Sequence, residues 1–264
     1  MLISEWVRRI PDWDMPSKDN DDVCAKFKHR VFDEDFIKIP YRLFVPHVIN
    51  SHKKIPLIVF LHGADVTGYD NEIHIRAHDI GAIYARDRWQ ALQSSIIFAP
   101  QYHEGTHWSH ESVREKLFII IERLIEEYEC IDINRICIYG YSAGGMGVFK
   151  MLMQRPHFFY RAMIICGAVT SDDIDNLVYT PMWLFHAEDD NIVPCEARRG
   201  LGEYRYYGSA AVYDALHDKM QDDIRYTQYK AGELKEKYKI NPHCSWVLAS
   251  RNEEALRWLI GKDV

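Results

Sequence analysis

The run Ile136-Cys137-Ile138-Tyr139-Gly140-Tyr141-Ser142-Ala143-Gly144-Gly145-Met146-Gly147 leaves this chain few ways to fold. An apolar, β-branched stretch ends at Gly140, a serine follows two residues later, and small residues then lead into the helical pattern Val148, Phe149, Met151, Leu152. Strand, sharp turn and helix in that order, with glycines two residues before and after the serine, form the elbow that carries a nucleophilic hydroxyl. The flanking glycines let strand and helix approach without a Cβ clash, and the tight turn exposes the hydroxyl at the carboxyl end of the strand. A phosphate-cradling loop would need a lysine after the glycines, and none follows.

The rest of the chain supplies a sheet for that turn. Ile55 to Leu61 is continuously apolar, as strands buried on both faces are. Ser95–Ala99, Ile136–Tyr139, Ala162–Cys166 and Met182–Phe185 read the same way, and Ile224–Tyr229 is expected to be the last strand. Ala25 to Val45 reads as an antiparallel pair. Between the strands lie helical patterns, the clearest from Glu111 to Tyr128, where Val113, Leu117, Ile120, Ile121, Leu124, Ile125 and Tyr128 recur at helix spacing. Strands alternating with helices build βαβ units and a mostly parallel sheet, so the fold class is α/β. All 264 residues suit one large domain, with the Asp-, Pro- and Asn-rich residues 1–23 expected as a loosely held arm.

A serine hydroxyl is a poor nucleophile at neutral pH, so it needs a base and a group that orients the base. In chains with this elbow the partners follow in the order serine, acid, histidine. Nine of the thirteen histidines precede Ser142. The acid is expected where the strand Pro181–Phe185 runs into Glu188-Asp189-Asp190, at the same sheet edge as Ser142. Asp190 is the first choice, with Asp189 or Glu188 as alternatives. His217 falls within a helical pattern, Ala210–Met220. His243 stands in the short loop Asn241-Pro242-His243-Cys244-Ser245-Trp246, the kind of place where a rigid scaffold holds a catalytic base, and is the expected base. Donors for a developing oxyanion are expected from the Ala143 amide, at the start of the helix, and from the loop Leu61-His62-Gly63-Ala64-Asp65. There Ala64 presents its amide and Asp65 is the alternative.

A competing pattern, His103-Glu104-Gly105-Thr106-His107, matches the H-E-x-x-H zinc signature, with His110 or Glu104 as further possible ligands. That motif works on a helix, and Pro100 and Gly105 argue for a loop. No metal and no cofactor are expected. Six scattered cysteines without a C-x-x-C pair read as buried thiols. A net charge of −7, with no basic stripe or tail, argues against nucleic acid and anionic membrane as partners. No apolar run reaches membrane-span length, and residues 1–6 lack the basic and apolar regions of a leader, so a cytoplasmic protein is expected.

Taken in order, Leu61-His62-Gly63-Ala64 with Asp70-Asn71, Ala99-Pro100-Gln101 with Trp108, Gly140-Tyr141-Ser142-Ala143-Gly144-Gly145, Asp190-x-x-Val193-Pro194 and His243-Cys244-Ser245-Trp246 resemble the α/β-hydrolases, specifically the compact carboxylesterases related to feruloyl esterases and prolyl-oligopeptidase catalytic domains. The resemblance implies an eight-stranded, mainly parallel sheet flanked by helices, a Ser142, Asp190, His243 triad, and a pocket lined by Gln101 and Trp108. It implies a small-molecule ester as substrate and no cofactor, and leaves the oligomeric state open. The chain departs from the pattern at His186-Ala187, where such enzymes usually carry His-Gly. Residues 195–207 are longer than the usual link and are expected either as a small cap over the site or as a surface excursion. A second long link, Lys230 to Ile240, precedes His243. A prolyl-oligopeptidase-type peptidase stands second, since its N-terminal propeller does not fit in 264 residues, and the zinc hydrolase stands third.

Overall fold

A computed structural model describes residues 17, 19–47, 53–104, 106–170, 174–199 and 205–262, with 198 and 199 described by backbone alone. Among the described residues eleven strands run in chain order: β1 Lys28–Glu34, β2 Ile37–Phe44, β3 Ile55–Leu61, β4 Ile96–Pro100, β5 Ile131–Tyr141, β6 Arg161–Ile165, β7 Ala168–Thr170, β8 Met182–Ala187, β9 Ala197–Arg199, β10 Arg205–Gly208 and β11 Ile224–Tyr229. Eight of them form one sheet in the order β1-β2-β4-β3-β5-β6-β8-β11. β2 pairs antiparallel with β1 and β4, and every other neighbour is parallel. The expected eight-stranded, mainly parallel sheet is thus the one observed.

The apolar runs are continuous because side chains leave a strand on alternate faces and both faces here are covered. Leu57, Val59 and Leu61 enter one core, while Ile58 and Phe60 enter the other. Ile136 and Ile138 likewise separate from Cys137, Tyr139 and Tyr141. Of the longer helices, α1 spans Asn20–Ala25, α2 Glu111–Glu127, α3 Ala143–Gln154, α4 Ser209–Met220 and α5 Glu253–Leu259. α2, α3 and α4 cover the first face through Leu117, Ile121, Val148, Leu152, Val212 and Leu216. α1 and α5 cover the second through Val23, Leu256, Trp258 and Leu259. Each of these side chains, fully removed from water, contributes roughly 1.5–3 kcal/mol before entropy is charged against it.

Two segments carry structure that the apolar pattern does not mark. The described end of the 1–23 arm is tied down: Asn20 is buried and donates to the Arg76 carbonyl at 3.0 Å, and Asp19 pairs with Arg86 at 2.6 Å. The earlier part of that arm lies outside the described residues. The 195–207 link contributes β9 and β10, which join β7 in a second, three-stranded antiparallel sheet. Tyr207 packs against the first core and the Tyr206 hydroxyl donates to the Pro194 carbonyl at 2.9 Å. Residues 200–204, Tyr204 among them, lie outside the described set.

Candidate active site

β5 ends at Tyr141 and α3 begins at Ala143, so Ser142 alone makes the turn. Its backbone sits at φ 52°, ψ −121°, a conformation a side chain other than glycine adopts only when its surroundings impose it. The surroundings are tight. A Cβ on Gly140 would stand 2.7 Å from the Leu61 carbonyl oxygen, and one on Gly144 would collide with that oxygen and lie 2.7 Å from the His62 oxygen. The Ser142 amide donates to Ile165 on β6 at 2.9 Å, and its carbonyl accepts from Met146 at 3.0 Å. The serine is left half-buried, with its hydroxyl at the carboxyl edge of the sheet.

Two further side chains meet it there. His243 Nε2 lies 2.9 Å from Ser142 Oγ, and His243 Nδ1 lies 2.8 Å from Asp190 Oδ2. With the ring proton on Nδ1, that nitrogen donates to the carboxylate and Nε2 accepts from the serine. The His243 amide donates to the Asn241 side chain at 2.9 Å, which fixes the short turn Pro242–Cys244. Asp190 follows β8 and is 3% exposed. Its Oδ1 accepts the amides of Ile192 at 2.9 Å and Val193 at 3.0 Å. Burial works to raise its pKa, but the hydrogen bonds from His186 and His243 outweigh it and hold the carboxyl well below the usual carboxylate range. The neighbouring acids are engaged elsewhere. Glu188 holds Lys230 and the Ala231 amide, each at 3.0 Å, and Asp189 accepts the Gly232 amide at 2.9 Å. Among the three adjacent carboxylates, Asp190 is the one brought to His243.

Ala143 opens α3, so its amide has no partner within the helix. Ala64 opens the 3₁₀ turn Ala64–Val66, directly after β3 and Gly63. His62 braces that turn from within. Its Nδ1–H donates to the Gly63 carbonyl at 2.6 Å and its Nε2 accepts the Tyr102 amide at 3.1 Å. A ring that accepts a backbone amide must be neutral, and burial pushes its pKa down to about 4.

Gln101 and Trp108 need correction. Both are wholly buried, so neither lines a pocket open to substrate. Gln101 Oε1 accepts the Asn71 amide at 2.6 Å and its Nε2 donates to Val66 at 3.3 Å, while Trp108 Nε1 donates to the His62 carbonyl at 3.0 Å. They brace the backbone around the Ala64 turn. His103 and His107 occupy non-helical backbone. His103 is engaged with the Lys38 and Glu104 carbonyls and His107 with Ser109, and among the described residues no three His, Cys, Asp or Glu side chains converge as a metal site. His217 sits on α4 beside Asp218 at 3.0 Å and stacks on Tyr213.

Sequence reasoning names two further residues without finding what their side chains do. His186 is fully buried, with Nε2 2.7 Å from the Val193 carbonyl and 3.2 Å from Asp190 Oδ2, and Nδ1 2.9 Å from Ser209 Oγ. Asp65 is paired with His78 and Tyr141 behind the Ala64 turn. Its place beside that turn was the available signal.

Residues 101–193 match the prolyl oligopeptidase family. A solved thermostable esterase is 33% identical, with a TM-score of 0.82 over 90% of this chain and 64% of that one. Thermogutta terrifontis esterase 2 shares the fold at 13% identity, with a TM-score of 0.62 over 91% of this chain and 97% of that one. Venom dipeptidyl peptidase 4 of Vespula vulgaris is 22% identical over 205 residues, covering 71% of this chain and 25% of the venom protein. The chain therefore spans about a quarter of that curated relative and under two thirds of the thermostable esterase. These relatives differ in length and in named activity; the chain has the α/β-hydrolase fold and is similar both to esterases and to the prolyl oligopeptidase family.

Proposed function

We propose that the chain is a serine hydrolase that cleaves carboxylic esters through an acyl-enzyme. The observation that carries this reading is the unbroken hydrogen-bonded line from Ser142 Oγ through His243 to Asp190. As Oγ attacks the ester carbonyl, its proton passes to His243 Nε2, and the imidazolium that forms faces a carboxylate kept ionised by its donors. The Ala143 and Ala64 amides are the donors assigned to the oxyanion. Collapse of the tetrahedral intermediate breaks the bond to the leaving alkoxide, which takes the proton from Nε2. Water then repeats the sequence on the acyl-enzyme, giving up one proton to His243, and releases the carboxylic acid and free Ser142. No cofactor enters these steps. The cytoplasmic setting belongs to the same reading and is supported by the burial of all six cysteines as thiols.

Ester rather than peptide cleavage is supported by the likeness to the thermostable esterase. The prolyl oligopeptidase match favours a second reading, a peptidase using the same three residues. A panel of p-nitrophenyl esters from acetyl to feruloyl, run beside matched p-nitroanilides, separates the two. Higher kcat/KM on the esters supports the first reading, and preference for the anilides overturns it. A zinc hydrolase would lose activity to a chelator and ignore a fluorophosphonate. The opposite pair of responses is expected.

A further inference from the structure

We infer that Asp65, clamped by His78 and Tyr141, is a positioning residue that sets where the Ala64 amide points relative to Ser142. This rests on the reading of Ser142 as a nucleophile. The three-residue turn Ala64–Val66 is poorly fixed by its own backbone: Val66 reaches the Gly63 carbonyl, and Thr67 the Ala64 carbonyl, only at 3.5 Å. Hydrogen bonds at that length hold little. Side chains hold the turn instead: Thr67 Oγ1 donates to the Ala64 carbonyl at 2.8 Å, Gln101 Nε2 to that of Val66 at 3.3 Å, and Asp65 anchors the turn to the neighbouring strand. His78 Nε2 lies 2.6 Å from Asp65 Oδ2, and the Tyr141 hydroxyl donates to Oδ1 at 3.0 Å. The Asp65 and His78 side chains are 5% and 3% exposed. An ionised carboxylate so far from water persists only when donors satisfy it, so each oxygen binds its donor firmly.

The clamp joins the two halves of the site. Tyr141 is the last residue of β5, immediately before Ser142, and is wholly buried. Gly63 is pressed against it: a Cβ there would stand 2.6 Å from Asp65 Oδ1 and overlap the Tyr141 ring. Trp246 lies over the Tyr141 ring at 4.6 Å, meets His78 at 5.5 Å and stands edge-on to His243 at 5.6 Å. The Asp65 carboxylate thus ties the donor turn, through the Tyr141 hydroxyl, to the strand that leads into the nucleophile, and Trp246 continues the contact to the base.

Asp65→Asn keeps the shape and removes the charge, and Tyr141→Phe removes one hydroxyl while keeping the ring, so it remains informative if Asp65→Asn does not fold. Both are measured per active site, titrated with a fluorophosphonate, on p-nitrophenyl acetate. Deleting an oxyanion donor outright costs about 10²–10³ in kcat, so a misaimed one is expected to cost about thirtyfold in Asp65→Asn and about fivefold in Tyr141→Phe, with KM nearly unchanged. Affinity for a trifluoromethyl ketone, whose adduct with the serine carries an oxyanion, should fall in step with kcat/KM. A lowered Tm with kcat per titrated site at the wild-type value in both variants makes Asp65 a stability residue only and overturns the inference. If the unmodified protein shows no Ser142-dependent hydrolysis, the proposed function falls and the inference falls with it.

Discussion

Replacing Asp190 with asparagine isolates the part of the site that depends on charge and tautomer rather than shape. Oδ1 accepts two backbone amides, from Ile192 and Val193, and Oδ2 faces His243 Nδ1 and His186 Nε2. An asparagine that turned its NH₂ toward the two amides would leave buried donors facing a donor, at about 1–3 kcal/mol each. It therefore keeps its oxygen on the amides and points NH₂ at His243. His186 tolerates this because its nearer acceptor is the Val193 carbonyl at 2.7 Å. His243 does not: its Nδ1 must now accept, its proton moves to Nε2, and the nitrogen 2.9 Å from Ser142 Oγ becomes a donor. The serine loses its base. In a triad of this kind the wrong tautomer costs about 10⁴ in kcat, or about 5.5 kcal/mol of transition-state stabilisation. The assay is kcat on p-nitrophenyl acetate for purified Asp190→Asn, with circular dichroism and Tm close to wild type because the backbone bonds survive. A folded variant losing less than tenfold would refute the assignment of Asp190 to His243.

Two further perturbations test the scaffold behind the site. His62 stays neutral when folded, with its pKa pushed down to about 4 from an ordinary 6.5. Unfolded chains therefore bind a proton here that folded ones refuse, and stability is full above about pH 6.5 and is lost as pH falls toward 4, by about 2 kcal/mol at about pH 5. Urea unfolding at about pH 7.5 and about pH 5 measures this, and an undiminished pH dependence in His62→Gln would count against it. Gly144→Ala places a Cβ against the backbone oxygens of Leu61 and His62, which cannot move aside as a side chain would. It should lower stability by several kcal/mol, about 3 or more, or prevent soluble expression, and a Tm within about two degrees of wild type would contradict the packing described here.

Much of the sheet was legible because burial on both faces writes itself as uninterrupted apolar strands such as Ile55–Leu61. The serine was legible because Gly140 and Gly144 are demanded by backbone contact and leave a spacing in the sequence. The small β7-β10-β9 sheet was not, since its three- and four-residue strands carry too few side chains to show a period. Likewise β5 begins at Ile131, before its apolar run, because residues 132–135 face outward or are only partly covered. Glu188, Asp189 and Asp190 look equivalent in one dimension, and only the 230–232 turn, which occupies the first two, separates them. The resemblance put Gln101 and Trp108 in a pocket, whereas their polar atoms are spent on the backbone of a neighbouring loop, a fact no spacing encodes. Asp65 and Tyr141 stand far apart in the chain and meet because β3 pairs with β5.

Peptide mapping after treatment with a fluorophosphonate asks directly whether the serine on the β5–α3 turn is activated by its neighbours. The account predicts a single adduct on Ser142, absent from Ser142→Ala and formed orders of magnitude more slowly in His243→Ala, with ester hydrolysis lost in parallel. An unlabelled Ser142 in protein that still turns over ester, or equal labelling of Ser142 with and without the imidazole, would contradict it.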